Sequence, residues 1–175
     1  MEKKKIIYDF VLDYLKFNCL EKLNFSIISK GTNISRTTLY SYYNGMWELV
    51  DEINLFYINQ MAEIINDFPS TYNSESNKKN TIILLNHIFE NKNYYYVASK
   101  LQKGNEVLII KEILKDKRNE NNKIKEMDLY KAKFIENFFT SNIQFVIWKW
   151  IDEGFQTSVE DEANVIDVYC QMLFD

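Results

Sequence analysis

The 26 residues from Asn24 to Leu49, NFSIISKGTNISRTTLYSYYNGMWEL, constrain the fold more tightly than any other stretch of the chain. Asn24 and Ser35 are residue types that cap helix N-termini, because a short side-chain oxygen accepts a bond from an otherwise unpaired backbone N–H. Ile27 and Ile28 give the first segment an apolar edge. Gly31-Thr32-Asn33 is the bend, since Gly31 and Asn33 are the types that tolerate positive φ. Ile34 then points back inward. In the second segment Leu39 and Tyr43 lie four apart and share a face. Arg36, Thr37, Thr38, Tyr40, Ser41 and Tyr42 lie mostly elsewhere and stay exposed. This spacing predicts a short helix, a tight turn, a second short helix ending in aromatics, and the start of a third: a helix-turn-helix.

The free face of the second helix holds one arginine, hydroxyls and phenols. An arginine can bond a guanine at two points, a threonine methyl can touch a thymine methyl, and a tyrosine hydroxyl reaches a phosphate. An ordinary helical hairpin in a core is the alternative, but a core helix does not leave so many polar groups on one face. Charge gives no such support. The chain carries a net −4, and its first 60 residues hold seven basic and seven acidic side chains. A DNA-binding domain usually shows a basic face. Here Lys3, Lys4, Lys5, Lys30 and Arg36 would have to gather on one side, with Glu48, Asp51 and Glu52 turned away.

The remainder reads as helix. One proline and four glycines in 175 residues favour long helices over a turn-rich β fold. The opening helix is expected over 4–20, with Ile7, Phe10, Val11, Tyr14 and Leu15 as its stripe and Lys3 to Lys5 ahead of it as an arm that could seek phosphate. After Leu49 a helix continues through Ile53, Phe56, Gln60 and Ile64 until Phe68-Pro69 stops it. The polar run 70–80 is expected as a loop. Short helices are expected over 81–89, 94–101 and 106–118. A long helix over 124–152 is apolar on two sides, which requires covering on two sides. Gly154 is placed to end it in the left-handed conformation. Ser158 and its acidic followers then open the last helix. Cys19 and Cys170 sit on apolar helical patterns, far apart and without metal-ligand spacing, so they read as reduced core thiols.

The stretch 24–49 resembles the DNA-binding region of the TetR family of regulators. The family pattern is matched by Ile28-Ser29, Thr32-Asn33, Ile34-Ser35, Thr37-Thr38, Leu39-Tyr40, Tyr43 and Met46-Trp47-Glu48-Leu49. Asn33 stands where glycine is usual, and Met46 where the family has a lysine that helps hold the DNA backbone. Phe89-Glu90-Asn91-Lys92-Asn93, then Phe138-Phe139 leading to Trp150, Gly154 and Ser158 to Ala163, resemble the C-terminal region of a subgroup that includes regulators of dihydroxyacetone kinase genes. The resemblance implies an all-α fold of about nine helices. A helix-turn-helix domain would occupy 1–46 and an effector-binding and dimerisation domain 47–175.

The resemblance also implies a homodimer on a near-palindromic double-stranded operator, governed by a small-molecule effector. Arg36, Thr37, Thr38 and Ser41 would read bases or nearby backbone, and Asn24, Lys30, Ser35, Tyr40 and Tyr42 would hold phosphates. Phe56, Tyr57, His87, Phe89, Tyr94, Tyr95 and Tyr96 sit on the elements that surround the family's effector cavity. Phe138, Phe139, Val146, Trp150, Ile166, Tyr169 and Cys170 would face a second copy in a four-helix bundle. The neutral head and Met46 motivate a second reading, an interaction module that has kept the fold and lost autonomous DNA binding. No glycine-rich phosphate loop, nucleophile elbow, metal-ligand spacing, signal peptide or membrane-length apolar run stands in the sequence. The expectation is therefore a cytoplasmic protein that is not an enzyme and has no metal or cofactor.

Overall fold

The computed structural model describes residues 2–66, 74–101 and 128–174, apart from the side chains of 74–77, 129, 131–133, 135–136, 139–140 and 170–174. Eight α-helices make up the described residues: α1 (Glu2–Leu15), α2 (Phe25–Thr32), α3 (Arg36–Tyr42), α4 (Met46–Asn66), α5 (Ser74–Glu90), α6 (Lys92–Leu101), α7 (Leu129–Asp152) and α8 (Val159–Phe174). A 3-10 turn, Leu20–Lys22, follows α1. The all-α expectation is met. The segment 106–118, the Phe68-Pro69 stop and the side chains of Phe139 and Cys170 fall outside the described residues. The chain groups into two compact units, Met1–Asn59 and Gln60–Asp175.

In the first unit α2 packs on α1 and α3 on α2. Ile7, Val11 and Leu15 from α1, Ile28 from α2, Leu39 from α3 and Leu49 and Ile53 from α4 are buried, each such aliphatic side chain contributing roughly 1.5–3 kcal/mol. The buried stripe of α1 is Ile7, Tyr8, Val11, Leu12 and Leu15. Phe10 and Tyr14 are half-buried and stack on each other, ring centroids 6.4 Å apart. The helix ends at Leu15 rather than Leu20. On α4 the inward face runs Leu49, Ile53, Tyr57, not through Phe56, which is exposed. Cys19 is also exposed, at the N-cap of the 3-10 turn, because α1 stops before reaching it.

Asn33 holds the left-handed conformation at the end of α2, φ 57°. Gly31 does not: it lies within α2, and its lack of a side chain has another cause. A Cβ there would meet the Phe10 ring at 1.9 Å. The glycine lets α1 and α2 approach through that ring.

In the second unit α5 packs on α8, α8 on α7, and α6 on both α7 and α5. Helix α5 starts at Ser74, so much of the run expected as a loop is helical. Lysine is a good helix former, serine and asparagine are middling ones, and no glycine or proline interrupts them, so with Leu85 and Ile88 packed at the far end the turns before them hold. Helix α7 ends with the Phe155 N–H on the Trp150 carbonyl at 2.9 Å and the Gly154 N–H on the Ile151 carbonyl at 3.0 Å. Gly154 has φ 75°. That is a Schellman ending, and Phe155 packs edge-on against Trp150 at 4.8 Å, the apolar contact that goes with it. Ser158 Oγ accepts the Asp161 N–H at 3.1 Å and starts α8. None of the described helices is long and apolar enough to cross a membrane.

Candidate nucleic-acid interface

Helix α3 is built to be held from one side. Of its seven residues only Leu39, at 0% exposure, is buried. Arg36, Thr37, Tyr40, Ser41 and Tyr42 are exposed and Thr38 is half-buried. The ends are capped locally. Ser35 Oγ accepts the Thr38 N–H at 3.1 Å. Asn24 Oδ1 accepts the N–H groups of Ser26 and Ile27 at 3.0 and 3.1 Å, starting α2. Thr32 donates its hydroxyl to the Ile28 carbonyl at 2.7 Å and accepts the Ile34 N–H at 3.3 Å, which shapes the turn.

These bonds sort the candidate DNA contacts into committed and free groups. Ser35 and Thr38 share a hydroxyl–hydroxyl bond of 2.9 Å, and Ser41 donates to the Thr38 carbonyl at 2.7 Å. The Tyr40 ring stands edge-on against Phe25, centroids 4.9 Å apart, while the residue stays 54% exposed. Arg36 and Lys30 are exposed and make no ion pair among the described residues. Arg36, Thr37 and the Tyr40 and Tyr42 phenols thus form the uncommitted part of the face. Asn24 and Ser35 keep their oxygens on the backbone and have only their remaining donors to offer.

Two features depart from the charge arrangement expected of the head. Lys3 to Lys5 are not an arm, since α1 begins at Glu2 and takes them into its first turns. Lys4 is engaged: its Nζ lies 2.6 Å from Glu52 Oε2 and over the rings of Tyr42 and Tyr43, at 5.9 and 5.5 Å. Glu52 is turned inward as a partner of α1 and of the end of α3, not away as a solvated acid. The Tyr8 and Tyr43 hydroxyls both donate to its Oε1, the latter at 2.8 Å. Sequence reasoning misses this cluster. The available signal is spacing: Lys4 and Tyr8 are four apart on α1, and Glu52 adjoins inward-facing Ile53. Glu48 also bonds locally, accepting the Asn44 N–H at 2.6 Å at the start of α4. Trp47 beside it is 72% exposed.

The seven aromatic and imidazole residues expected around an effector cavity are divided between the two units. Phe56 and Tyr57 pack edge-to-face in the first unit, where Phe56 also meets Tyr8. His87, Tyr94 and Tyr95 are buried together in the second unit, with His87–Tyr95 and Tyr94–Tyr95 centroids 6.0 and 5.0 Å apart. Asn91 Nδ2 lies 3.2 Å from His87 Nδ1, and His87 Nε2 has no hydrogen-bond partner among the described residues. Burial holds the imidazole below its ordinary pKa, against a smaller opposite pull from Glu90. Phe89 belongs elsewhere, stacking on Trp150 at 6.2 Å and meeting Phe155 at 5.7 Å. Tyr96 lies beneath the Lys100 ammonium at 4.0 Å.

The residues expected to face a second copy differ in burial. Val146, Trp150 and Ile166 are buried within their own chain and have almost no surface to offer a second copy. Among the described side chains, the large exposed apolar ones are Tyr130, Phe134, Phe138 and Phe145 on α7 and Val165 and Val168 on α8. Phe138 is exposed. Tyr169 is half-buried.

No family model matches the chain. No curated protein matches it either. Among solved structures it is similar to one described as the dihydroxyacetone kinase operon activator DhaS, with a TM-score of 0.65, 24% identity, and 98% of this chain and 93% of that chain covered. At this identity the likeness is one of fold.

Proposed function

We propose that the chain is a one-component transcriptional regulator that binds DNA as a homodimer. The observation that carries this is the one-sided burial of α3, which anchors Leu39 and leaves Arg36, Thr37, Tyr40 and Tyr42 on a free face. A fold shared with a named operon activator supports the same reading. In it, two copies of α3 enter successive major grooves about one helical turn apart on a near-palindromic operator. Arg36 and Thr37 read bases, and Lys30, Tyr40 and Tyr42 hold phosphates.

The second copy docks against the stripe of Phe134, Phe138 and Phe145 on α7, with Val165 and Val168 on α8. A small-molecule effector acts through His87, Tyr94 and Tyr95, whose imidazole and phenols orient it inside an otherwise apolar surround. The DNA-binding helices end near residue 46, and the start of α4 completes the core of that head through Leu49 and Ile53.

Selection of duplexes from a random pool, followed by gel shift, tests the reading. Arg36→Ala with Tyr40→Ala is expected to abolish operator binding while the circular-dichroism melt stays cooperative; retained binding refutes those roles. A second reading, an interaction module without autonomous DNA binding, is favoured by one observation, the loss of Lys4 from the free charges to Glu52. Binding to random DNA separates the two, because phosphate contacts make affinity fall steeply with salt. No binding even at low salt supports the interaction module.

A further inference from the structure

The Glu52 carboxylate joins three elements of the first unit. Its Oε2 takes the Lys4 ammonium and its Oε1 the Tyr8 hydroxyl, both from α1. The same Oε1 takes the hydroxyl of Tyr43, the C-cap residue of α3, whose backbone N–H bonds the Leu39 carbonyl. A carboxylate has the lone pairs to accept all three, and bonds to an ionised acceptor are the strong ones. Polarity in the cluster is fixed. Burial pushes Glu52 upward, yet the bonds from Lys4, Tyr8 and Tyr43 outweigh it and hold the carboxyl below its ordinary value. Burial, reinforced by the bond to Glu52, lifts both phenols well above theirs, so they remain donors.

The consequence for α3 follows from how little else holds it. Leu39 is the one buried side chain within the helix. The Tyr40 ring against Phe25 is a second hold, and apolar contacts of this kind set distance without fixing direction. Tyr43, 1% exposed, is the next tether, and its hydroxyl on Glu52 ties that end to α4. We propose that Glu52 is a positioning residue for DNA recognition: by accepting the Tyr43 hydroxyl it fixes the rotation of α3, and so the direction in which Arg36 and Thr37 point. The proposal rests on the reading of α3 as the recognition helix.

The test uses the full chain as wild type, Tyr43→Phe, Glu52→Gln and Tyr8→Phe. Tyr8→Phe is the comparison, since it removes a bond to the same carboxylate oxygen and leaves the Tyr43 hydroxyl on Glu52. On the duplex that the wild type selects from a random pool, Tyr43→Phe is expected to lose about tenfold or more in affinity, the scale of one misplaced base contact. Affinity for a random duplex, set by phosphates, should hold, and Tyr8→Phe should stay within about twofold of wild type on both. Glu52→Gln should fall on the Tyr43→Phe side, and the double variant should be no weaker than Tyr43→Phe alone. Equal losses in Tyr43→Phe and Tyr8→Phe, or none in either, overturn the proposal.

Amide hydrogen exchange decides it without DNA. In Tyr43→Phe the amides of Leu39 to Tyr43 should exchange about tenfold faster while those of α1 hold, and in Tyr8→Phe those of α3 should not change. Unchanged exchange at α3 in Tyr43→Phe overturns it. A wild type that selects no duplex ends the regulator reading, and hydrogen exchange alone then decides whether Glu52 holds α3 in place.

Discussion

Helices α3 and α7 both leave aromatic rings in the open, but the rings differ in kind. On α3 they are Tyr40 and Tyr42, among an arginine and hydroxyls; on α7 they are mainly Phe134, Phe138 and Phe145. A phenol end can hydrogen-bond water or a polar partner, so its exposure costs little. A phenylalanine ring has only hydrocarbon to offer, and a row of them across several turns favours an apolar partner. The first surface is polar and the second hydrocarbon, so the two units of one chain expose faces of different chemistry.

Substitutions test how far that contrast holds. Trp150 anchors the second unit: it is 2% exposed, its Nε1 donates to the Thr157 carbonyl at 3.0 Å, and Phe89 and Phe155 pack on its ring. Trp150→Ala should cost roughly 3–5 kcal/mol in a denaturant melt. Gly31→Ala in the first unit should cost about 1–3 kcal/mol through collision with Phe10. Adding Phe10→Leu should recover part of the loss, and no recovery would mean that the ring is not the obstacle. Phe134→Ser with Phe145→Ser, at positions 63% and 65% exposed, should change the stability of a single chain by only about 0.5 kcal/mol each. The same pair should shift sedimentation toward monomer; an unchanged sedimentation coefficient would remove the α7 stripe from the interface.

Acid supplies the mildest probe. Because burial holds His87 below its ordinary pKa, the unfolded chain binds that proton more readily than the folded one. Its contribution is absent at higher pH, where both states are neutral, and turns destabilising as pH falls through the unfolded value of about 6.5. Melting temperature should drop across that window in the wild type and less in His87→Gln. Identical profiles would show that the imidazole is protonated without penalty.

What the chain alone makes legible is local. The caps Asn24, Ser35 and Ser158, the left-handed Asn33 and the Gly154 ending are each decided within a few residues of chain. Gly31 shows the limit. Its neighbours make it look like a turn residue, whereas its cause is a ring from another helix, and no neighbour of Gly31 in sequence announces Phe10. Trp150 and Val146 on α7 show another. A helix apolar on two sides does not state which side faces its own unit, so spacing cannot tell these buried residues from the exposed Phe134 and Phe145. Glu52 is hidden for a related reason: an acid reads as solvated until its donors from beyond its own helix are in view.

Phe155 has a consequence of its own. It has φ 60°, a backbone state that side-chain-bearing residues avoid, immediately after Gly154 at 75°. Its ring is nonetheless wedged against Trp150 and Phe89. Glycine would ease the backbone and forfeit the wedge, and a branched aliphatic would satisfy neither demand. The corner between α7 and α8 is thus a bottleneck for sequence drift, and an insertion there would unseat the ring and the left-handed pair in a single stroke.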